Sequence, residues 1–291
     1  MTGSSTAPAA SIVIPTFNEA TRIDVQLRAL AEQVDCAPFE VIVADNGSTD
    51  DLSGVLASYA DTLQLRLIDA SSRRGPAHAR NAGARMASTD LLLFCDADDR
   101  VSPEWVGALQ RALAHAAMVT GAVLYVERDT LQRQPAPGAP RPPIAPRLFF
   151  GKVPFAQTSN LGIRRALFED LAGFDSALIC AEDADLTIRA QVLGESLVWE
   201  TSASIWYGRR EGIRATAKQF FRYGFYSVAA YRKHRADSIL DRSAWEMARP
   251  YAALVFRAYE LCTSQRIAWI GRLAHRCGHV AGSVRFGVFC P

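Results

Sequence analysis

The sequence predicts an α/β fold, with a mostly parallel central sheet flanked by helices and a helical C-terminal extension. Three observations carry that prediction. In the first half, short apolar, β-branched runs bounded by turn residues alternate with longer helix-like stretches. Runs such as Glu40-Val-Ile-Val-Ala44 place apolar residues consecutively from Val41, as strands covered on both faces do. Beyond Gly212 the pattern is helical, with Arg and Lys interleaved among aromatics.

Strands are expected at Ser11–Ile14, Phe39–Ala44, Leu63–Ile68 and Leu91–Cys95. Asp50 is a candidate N-cap for a helix over Leu52–Tyr59. Ser102-Pro103-Glu104 supplies a cap, a first-turn proline and an early acid for Trp105–Ala114. The Pro- and Gly-crowded stretch Gln134–Pro146 reads as a loop. After it come a polar strand candidate, Thr158–Ile163, and helices at Glu182–Leu193, Gln219–Tyr231 and Trp245–Leu261. The expected organisation is a disordered 1–10, a domain over 11–211 with halves 11–127 and 151–211 about a loop at 128–150, and a basic helical region over 212–291.

With 49% hydrophobic and 21% charged residues, the 291-residue chain fits neither a disordered nor a fibrous class. Of its 32 Lys/Arg and 30 Asp/Glu, 15 basic and 6 acidic residues lie from Glu200 onward, so the front is acidic and the back basic. A basic back could meet anionic lipid or a phosphorylated substrate, or be a solvated face. The six cysteines show no CxxC pair and read as reduced thiols. The N-terminus lacks the basic start and apolar core of a signal peptide, and Tyr251–Phe256 is far shorter than the roughly 20 apolar residues of a span. The expected location is the cytoplasm, with any membrane contact peripheral, at its inner face.

In open α/β sheets ligands gather outside the carboxyl ends of the strands. Three expected strands end in carboxylates there: Glu19, Asp45 and the cluster Asp96-Ala97-Asp98-Asp99. Asp96 and Asp98, two residues apart after a buried strand, would be costly without a counter-charge. A Mg²⁺ or Mn²⁺ ion relieves that cost, and such ions favour one or two carboxylates plus substrate phosphates. The competing reading is a solvated acidic turn. The chain has no G-x-G-x-x-G after its first strand, no phosphate-binding G-x-x-x-x-G-K-[ST] and no G-x-S-x-G elbow.

These residues resemble the family 2 glycosyltransferases of the GT-A fold. Ile12-Val-Ile-Pro-Thr-Phe-Asn-Glu19 is similar to that family's first strand and loop, and Val41-Ile-Val-Ala-Asp-Asn-Gly-Ser-Thr-Asp50 to its second. Gly75-Pro-Ala-His-Ala-Arg-Asn-Ala-Gly83 resembles its third signature, and Leu91–Asp99 its metal-binding strand end. Ser159-Asn-Leu-Gly-Ile-Arg164 with Gly173-Phe-Asp175 resembles the acceptor segment, and Glu182-Asp-Ala-Asp-Leu186 the motif that carries the base.

The resemblance implies the nucleotide-diphospho-sugar transferase fold and an inverting, hexosyltransferase-like enzyme using Mg²⁺ or Mn²⁺. Donor contacts would come from Pro15, Thr16, Phe17, Glu19, Asp45, Arg80, Asp96, Ala97, Arg209 and Arg210. Asp96 and Asp98 would hold the metal, Asp183 would be the base, and Asn160 and Glu182 would lie on the acceptor side. Asp183 opens a helix, whose dipole is expected to lower its pKa and keep it ionised; an ordinary first-turn acid is the bland alternative. Arg80 is expected near the phosphates, or else on a helix surface. Arg209 and Arg210 are expected on a flexible loop that closes over the diphosphate.

The chain departs from the family at Ile205-Trp-Tyr-Gly-Arg-Arg-Glu211, where many members carry a metal-ligating His. The Q-x-x-R-W pattern of processive synthases is also absent, so transfer of one sugar is expected. The acceptor would be a sugar, a lipid-linked or a small molecule, and no nucleic acid is expected. One alternative is a catalytically degenerate nucleotide-sugar-binding protein, and another is a nucleotidyltransferase. In the basic region, Phe220, Phe221, Tyr223, Phe225 and Tyr226 are expected in a core. Arg266, Arg272, Arg276 and Arg285, with Trp269 and Ile270, are expected on a membrane-facing amphipathic helix.

Overall fold

A computed structural model describes residues 7–132, 146–209, 212–237, 240 and 244–290. The first apolar run forms β1 (Ala10–Thr16), followed by α1 (Ala20–Ala31), β2 (Phe39–Asp45), α2 (Leu52–Ala57) and β3 (Gln64–Asp69). Then come α3 (Pro76–Met86), β4 (Leu91–Phe94), β5 (Arg100–Val101), α4 (Trp105–Leu113) and β6 (Met118–Val126). A two-stranded hairpin, β7 (Arg147–Phe149) and β8 (Val153–Phe155), precedes β9 (Leu161–Arg164), α5 (Arg165–Asp170), α6 (Glu182–Val192) and β10 (Leu197–Gly208). Three helices close the chain: α7 (Ile213–His234), α8 (Ala244–Phe256) and α9 (Arg266–Phe286).

The main sheet has eight strands in the order β3-β2-β1-β4-β9-β6-β10-β5. β9 and β5 run antiparallel to their neighbours and the other pairings are parallel. In β1, Ile12 pairs with Val41 of β2 on one side and Leu93 of β4 on the other, and all three are fully buried. Trp105, Leu109 and Leu113 of α4 join Ile23, Leu27 and Leu30 of α1 in the core on one face. Leu92, Phe94, Phe168 and Phe174 pack on the other. Being covered on both faces is what made these strands read as unbroken apolar runs. The carboxyl ends of β1, β2 and β4 therefore open on one edge.

Several expectations change in detail. Residue 10, expected to be disordered, already lies in β1, and Ala9 N–H donates to Pro38 O at 2.7 Å; residues 1–6 lie outside the described residues. The cap of α2 is Asp51, whose Oδ1 accepts Gly54 N–H at 3.0 Å, whereas Asp50 accepts Ala20 N–H at 2.8 Å and ties β2's loop to α1. Thr158–Asn160 is a 3₁₀ turn, and the strand starts at Leu161. Of Gln134–Pro146, only residue 146 is described. The expected helix Trp245–Leu261 divides into α8 and a 3₁₀ turn, Ala258–Cys262.

Helices α7 and α9 run parallel in close contact. Gly271 lies beside Thr216 and Phe220, Gly278 beside Phe221, and Gly282 beside Phe225 and Val228. A Cβ at Gly224 would lie 2.0 Å from His275 O, and one at Gly278 2.2 Å from Phe221 O, so only glycine allows this approach. The expected aromatic core is partly corrected: Phe225 packs on Phe286, but Phe221 and Tyr223 are 39% and 37% exposed. In the expected membrane-facing helix, Arg272 pairs with Glu260, and Trp269 Nε1 donates to Leu254 O at 3.0 Å. These two side chains hold α8 and its turn on α9. Among the described residues no helix is long and apolar enough to cross a membrane.

Candidate active site

The loops after β1, β2 and β3 are laced into one rim. Asn18 Oδ1 accepts Thr49 N–H at 2.8 Å, and Asn18 N–H donates to Ser48 Oγ at 3.0 Å. Asn46 Nδ2 donates to Ala70 O at 2.6 Å and Arg73 O at 2.8 Å, while its Oδ1 accepts Gly75 N–H at 2.8 Å. On this rim Asp45, at the end of β2, accepts Ser48 N–H at 2.8 Å. Pro15 pairs in register with Ala44, Thr16 is buried, and Phe17 is 47% exposed with the Arg74 guanidinium 4.5 Å from its ring centre. Glu19 pairs with Arg22, and burial raises its carboxyl pKa, with the nearby Asp98 charge adding.

At the end of β4 three carboxyls crowd together. Asp96 Oδ1 accepts Arg80 Nη2 at 2.6 Å, and Asp98 Oδ2 accepts Arg128 Nη2 at 3.3 Å. Ala97, between them, is buried. Asp99 is buried too, and its Oδ2 has no hydrogen-bond partner among the described residues. Burial, then the charges of Asp98 and Asp96, push its pKa well above the usual carboxylate range.

Arg80 is neither on a surface nor open to a phosphate. Its side chain is 4% exposed and its Nη1 donates to Glu182 Oε1 at 2.9 Å, so its fork joins β4's end to α6. Burial opposes the guanidinium charge, but Asp96 and Glu182 outweigh it. Glu182, expected on the acceptor side, is itself buried against Arg80, and burial raises its pKa.

Asp183 is the main electrostatic correction. It lies in the first turn of α6, and its Oδ1 accepts Ala184 N–H at 2.7 Å. Burial, reinforced by the Glu182 charge, nonetheless pushes its pKa up to about 7, outweighing that bond and the charges of Arg80 and Arg147. The helix terminus is visible in sequence; the burial that overrides it is not.

Asn160, expected on the acceptor side, is fully buried, with Oδ1 accepting Trp105 Nε1 at 2.8 Å and Nδ2 donating to Ala203 O at 2.9 Å and Ala122 O at 3.2 Å, so it ties α4 to β10 and β6. Arg209 directly follows β10, its N–H donating to Val126 O at 2.9 Å and its guanidinium 5.9 Å from the Tyr125 ring centre. Arg210 lies outside the described residues.

Sequence reasoning missed Arg128, Arg74 and a polar wall from α7. In that wall Gln219 Nε2 donates to Tyr207 Oη at 3.1 Å and Tyr223 Oη at 2.9 Å. Burial raises the Tyr223 pKa, and the charges of Cys180 and Asp183 add to the rise. No spacing rule links these residues, because they come from separate elements.

Among the described residues no three His, Cys, Asp or Glu side chains converge on a metal position. Asp96 and Asp98 are 26% and 27% exposed, and each meets an arginine through one oxygen. Two accessible hard carboxylates suit Mg²⁺ or Mn²⁺ when phosphate oxygens complete the set.

The family model described as glycosyl transferase family 2 matches residues 11–172. Over 117 residues the chain is 41% identical to validoxylamine A glucosyltransferase of Streptomyces hygroscopicus subsp. jinggangensis (strain 5008), covering 39% of this chain and 27% of that protein. Over 206 residues it is 32% identical to the amylovoran biosynthesis glycosyltransferase AmsB of Erwinia amylovora, covering 65% of each. The chain thus spans about a quarter of the first relative's length. The mannosyltransferase PcManGT from Pyrobaculum calidifontis, solved with GDP-Man and Mn²⁺, superposes with a TM-score of 0.71 at 21% identity, covering 96% of this chain and 88% of that one. The fold is shared with that structure, and by the match to more than half of its 291 residues the chain belongs to glycosyl transferase family 2.

Proposed function

We propose that the chain transfers one sugar from a nucleotide-diphosphate sugar to an acceptor hydroxyl with inversion at the anomeric carbon, Asp183 acting as base. The observation that carries this reading is the Asp183 carboxyl at about 7, linked through Glu182 and Arg80 to Asp96 at the end of β4. A base with a pKa near the working pH combines a useful ionised fraction with real basicity. Asp183 accepts the acceptor's proton as its oxygen bonds to the anomeric carbon, and the bond to the diphosphate breaks with its electron pair going to the departing phosphate oxygen. Attack opposite the leaving group inverts the centre. A Mg²⁺ or Mn²⁺ held by Asp96 and Asp98 would supply charge stabilisation for the diphosphate. Arg80 keeps Asp96 and Glu182 in place, and Phe17, Arg74 and Asp45 form the shelf suited to the nucleotide.

The names of the relatives and the GDP-Man and Mn²⁺ bound by the structural neighbour support this reading. A second reading, donor binding without turnover, is favoured by the arginine already on each of Asp96 and Asp98. A screen of UDP-, GDP- and dTDP-sugars with and without Mn²⁺, read by melting temperature and product formation, separates the two. A metal-dependent shift with product, both lost in Asp98→Ala, supports the enzyme. A shift with no product from any acceptor supports the binding protein.

A further inference from the structure

A knot of charged side chains lies where α6 meets the end of α7. Asp185 of α6 is fully buried. Its Oδ1 lies 2.8 Å from His234 Nε2 and 2.7 Å from Lys233 Nζ, and its Oδ2 accepts Arg189 Nε at 2.9 Å. The other ring nitrogen of His234, Nδ1, faces Asp237 Oδ2 at 2.8 Å, and Lys233 Nζ also donates to Asp175 Oδ2 at 2.8 Å in the loop ahead of α6. Glu182 and Asp185 are three residues apart and so share a face of α6. Arg80 of α3 holds the first of them, and the end of α7 holds the second. Asp183 lies between them on another face of the helix, its carboxyl accepting Ala184 N–H. Just ahead of the helix Ala181 has φ 66°, a left-handed conformation that a residue with a Cβ keeps only where its surroundings impose it. The two anchors supply that constraint. Both helices lie beyond the residues 11–172 that the family model matches, so the second anchor is built from this chain's C-terminal part.

We propose that Lys233 and His234 are positioning residues for the transfer: by gripping Asp185 they fix the first turn of α6 and with it the place of the Asp183 carboxyl. The inference rests on the transferase reading with Asp183 as base, and it makes the end of α7 part of the frame of the site. A buried ion network adds little net stability over apolar packing of the same volume, and its use here is to fix one position of the helix. That position matters because a base displaced by about 1 Å from its proton can lose about 10²-fold in rate. Release of Asp185 would let the turn open and water reach Asp183, relieving the burial that is the first cause of its raised pKa.

The test compares the full chain with the double variant Lys233→Met/His234→Gln and with Val228→Ala, a fully buried position of α7 outside the knot. Steady-state kinetics give kcat and the donor KM, and a ¹³C-carboxyl titration gives the Asp183 midpoint. The double variant should lose about tenfold or more in kcat with the donor KM within about twofold, because the base is displaced and the donor rim is not. Its Asp183 midpoint should fall by about one pH unit or more. Val228→Ala should lower the melting temperature and leave kcat and the midpoint in place. If the double variant does not fold, Lys233→Met alone carries the test, since that side chain is 38% exposed. A kcat and midpoint unchanged by loss of the knot, or moved equally by Val228→Ala, overturn the inference. Should no acceptor give product with the wild type, the transferase reading fails and the midpoint alone decides: moved, the anchoring of Asp183 stands; unmoved, it falls.

Discussion

The two ends of the sheet treat buried carboxyls in opposite ways. At the amino end Glu40, 2% exposed, accepts Ser11 Oγ at 2.6 Å, Ser88 N–H and Oγ at 2.7 Å each, and Arg66 at 2.8 Å. Burial raises its pKa, but these bonds and the Arg66 charge outweigh it and leave the carboxyl below its ordinary value. At the carboxyl end Asp99, Glu182 and Asp183 are all raised, with burial the first cause in each. The amino end satisfies its acid and gains stability; the carboxyl end buries its acids beside one another so that their partners do not offset the burial, a state suited to moving a proton.

The largest expected effect is on activity. Asp183→Asn should lower kcat/KM by about 10²–10⁴-fold while the folded state survives. A loss under about tenfold, with melting unchanged, would remove Asp183 as the base. Arg80→Met should cost about 3–5 kcal/mol in urea unfolding, since it strands Glu182 and Asp96 without their cation. A neutral result would mean that the buried fork does not tie the two elements.

Glu40→Gln sharpens the contrast from the other end, costing about 1–3 kcal/mol of stability with kcat unchanged. Its sign with pH follows from its lowered pKa. The stabilisation is present above the ordinary value of 4.5 and disappears as pH falls through the lower folded value, so wild type and Glu40→Gln should converge in acid. A gap that persists in acid contradicts that. The smallest effect is on the rim, where Phe17→Ala should weaken nucleotide-sugar binding by about 0.5–1 kcal/mol through loss of the Arg74 contact and stacking surface. An unchanged donor Kd would take Phe17 out of the shelf.

Much of the sheet was legible because β1, β2 and β4 are covered on both faces and so appear as apolar runs, with Glu19 and Asp96 in the loops that follow β1 and β4 and Asp45 at the end of β2. Long-range pairing was not legible. Arg80 and Glu182 are separated by 102 residues, and nothing in either neighbourhood announces the bond. Asn160 was placed on the acceptor side by the family resemblance of its segment, which carries no information on its 0% exposure. For Asp183, the helix start suggested a lowered pKa, and burial beside Glu182 reversed it. The parallel approach of α7 and α9 needed the Gly224 and Gly278 contacts, whose partners lie more than a helix away in sequence.

The most direct test of the central claim is a ¹³C-carboxyl NMR titration of Asp-labelled protein, with Asp183→Asn used to assign the resonance. Asp185, in the same helix, is the internal reference: burial raises its pKa, but His234, Lys233 and Arg189 outweigh that and hold it at about 2. The Asp183 midpoint should lie near 7, with Asp185 still ionised where Asp183 takes up its proton. An Asp183 midpoint in the ordinary range near 3.8 would contradict it.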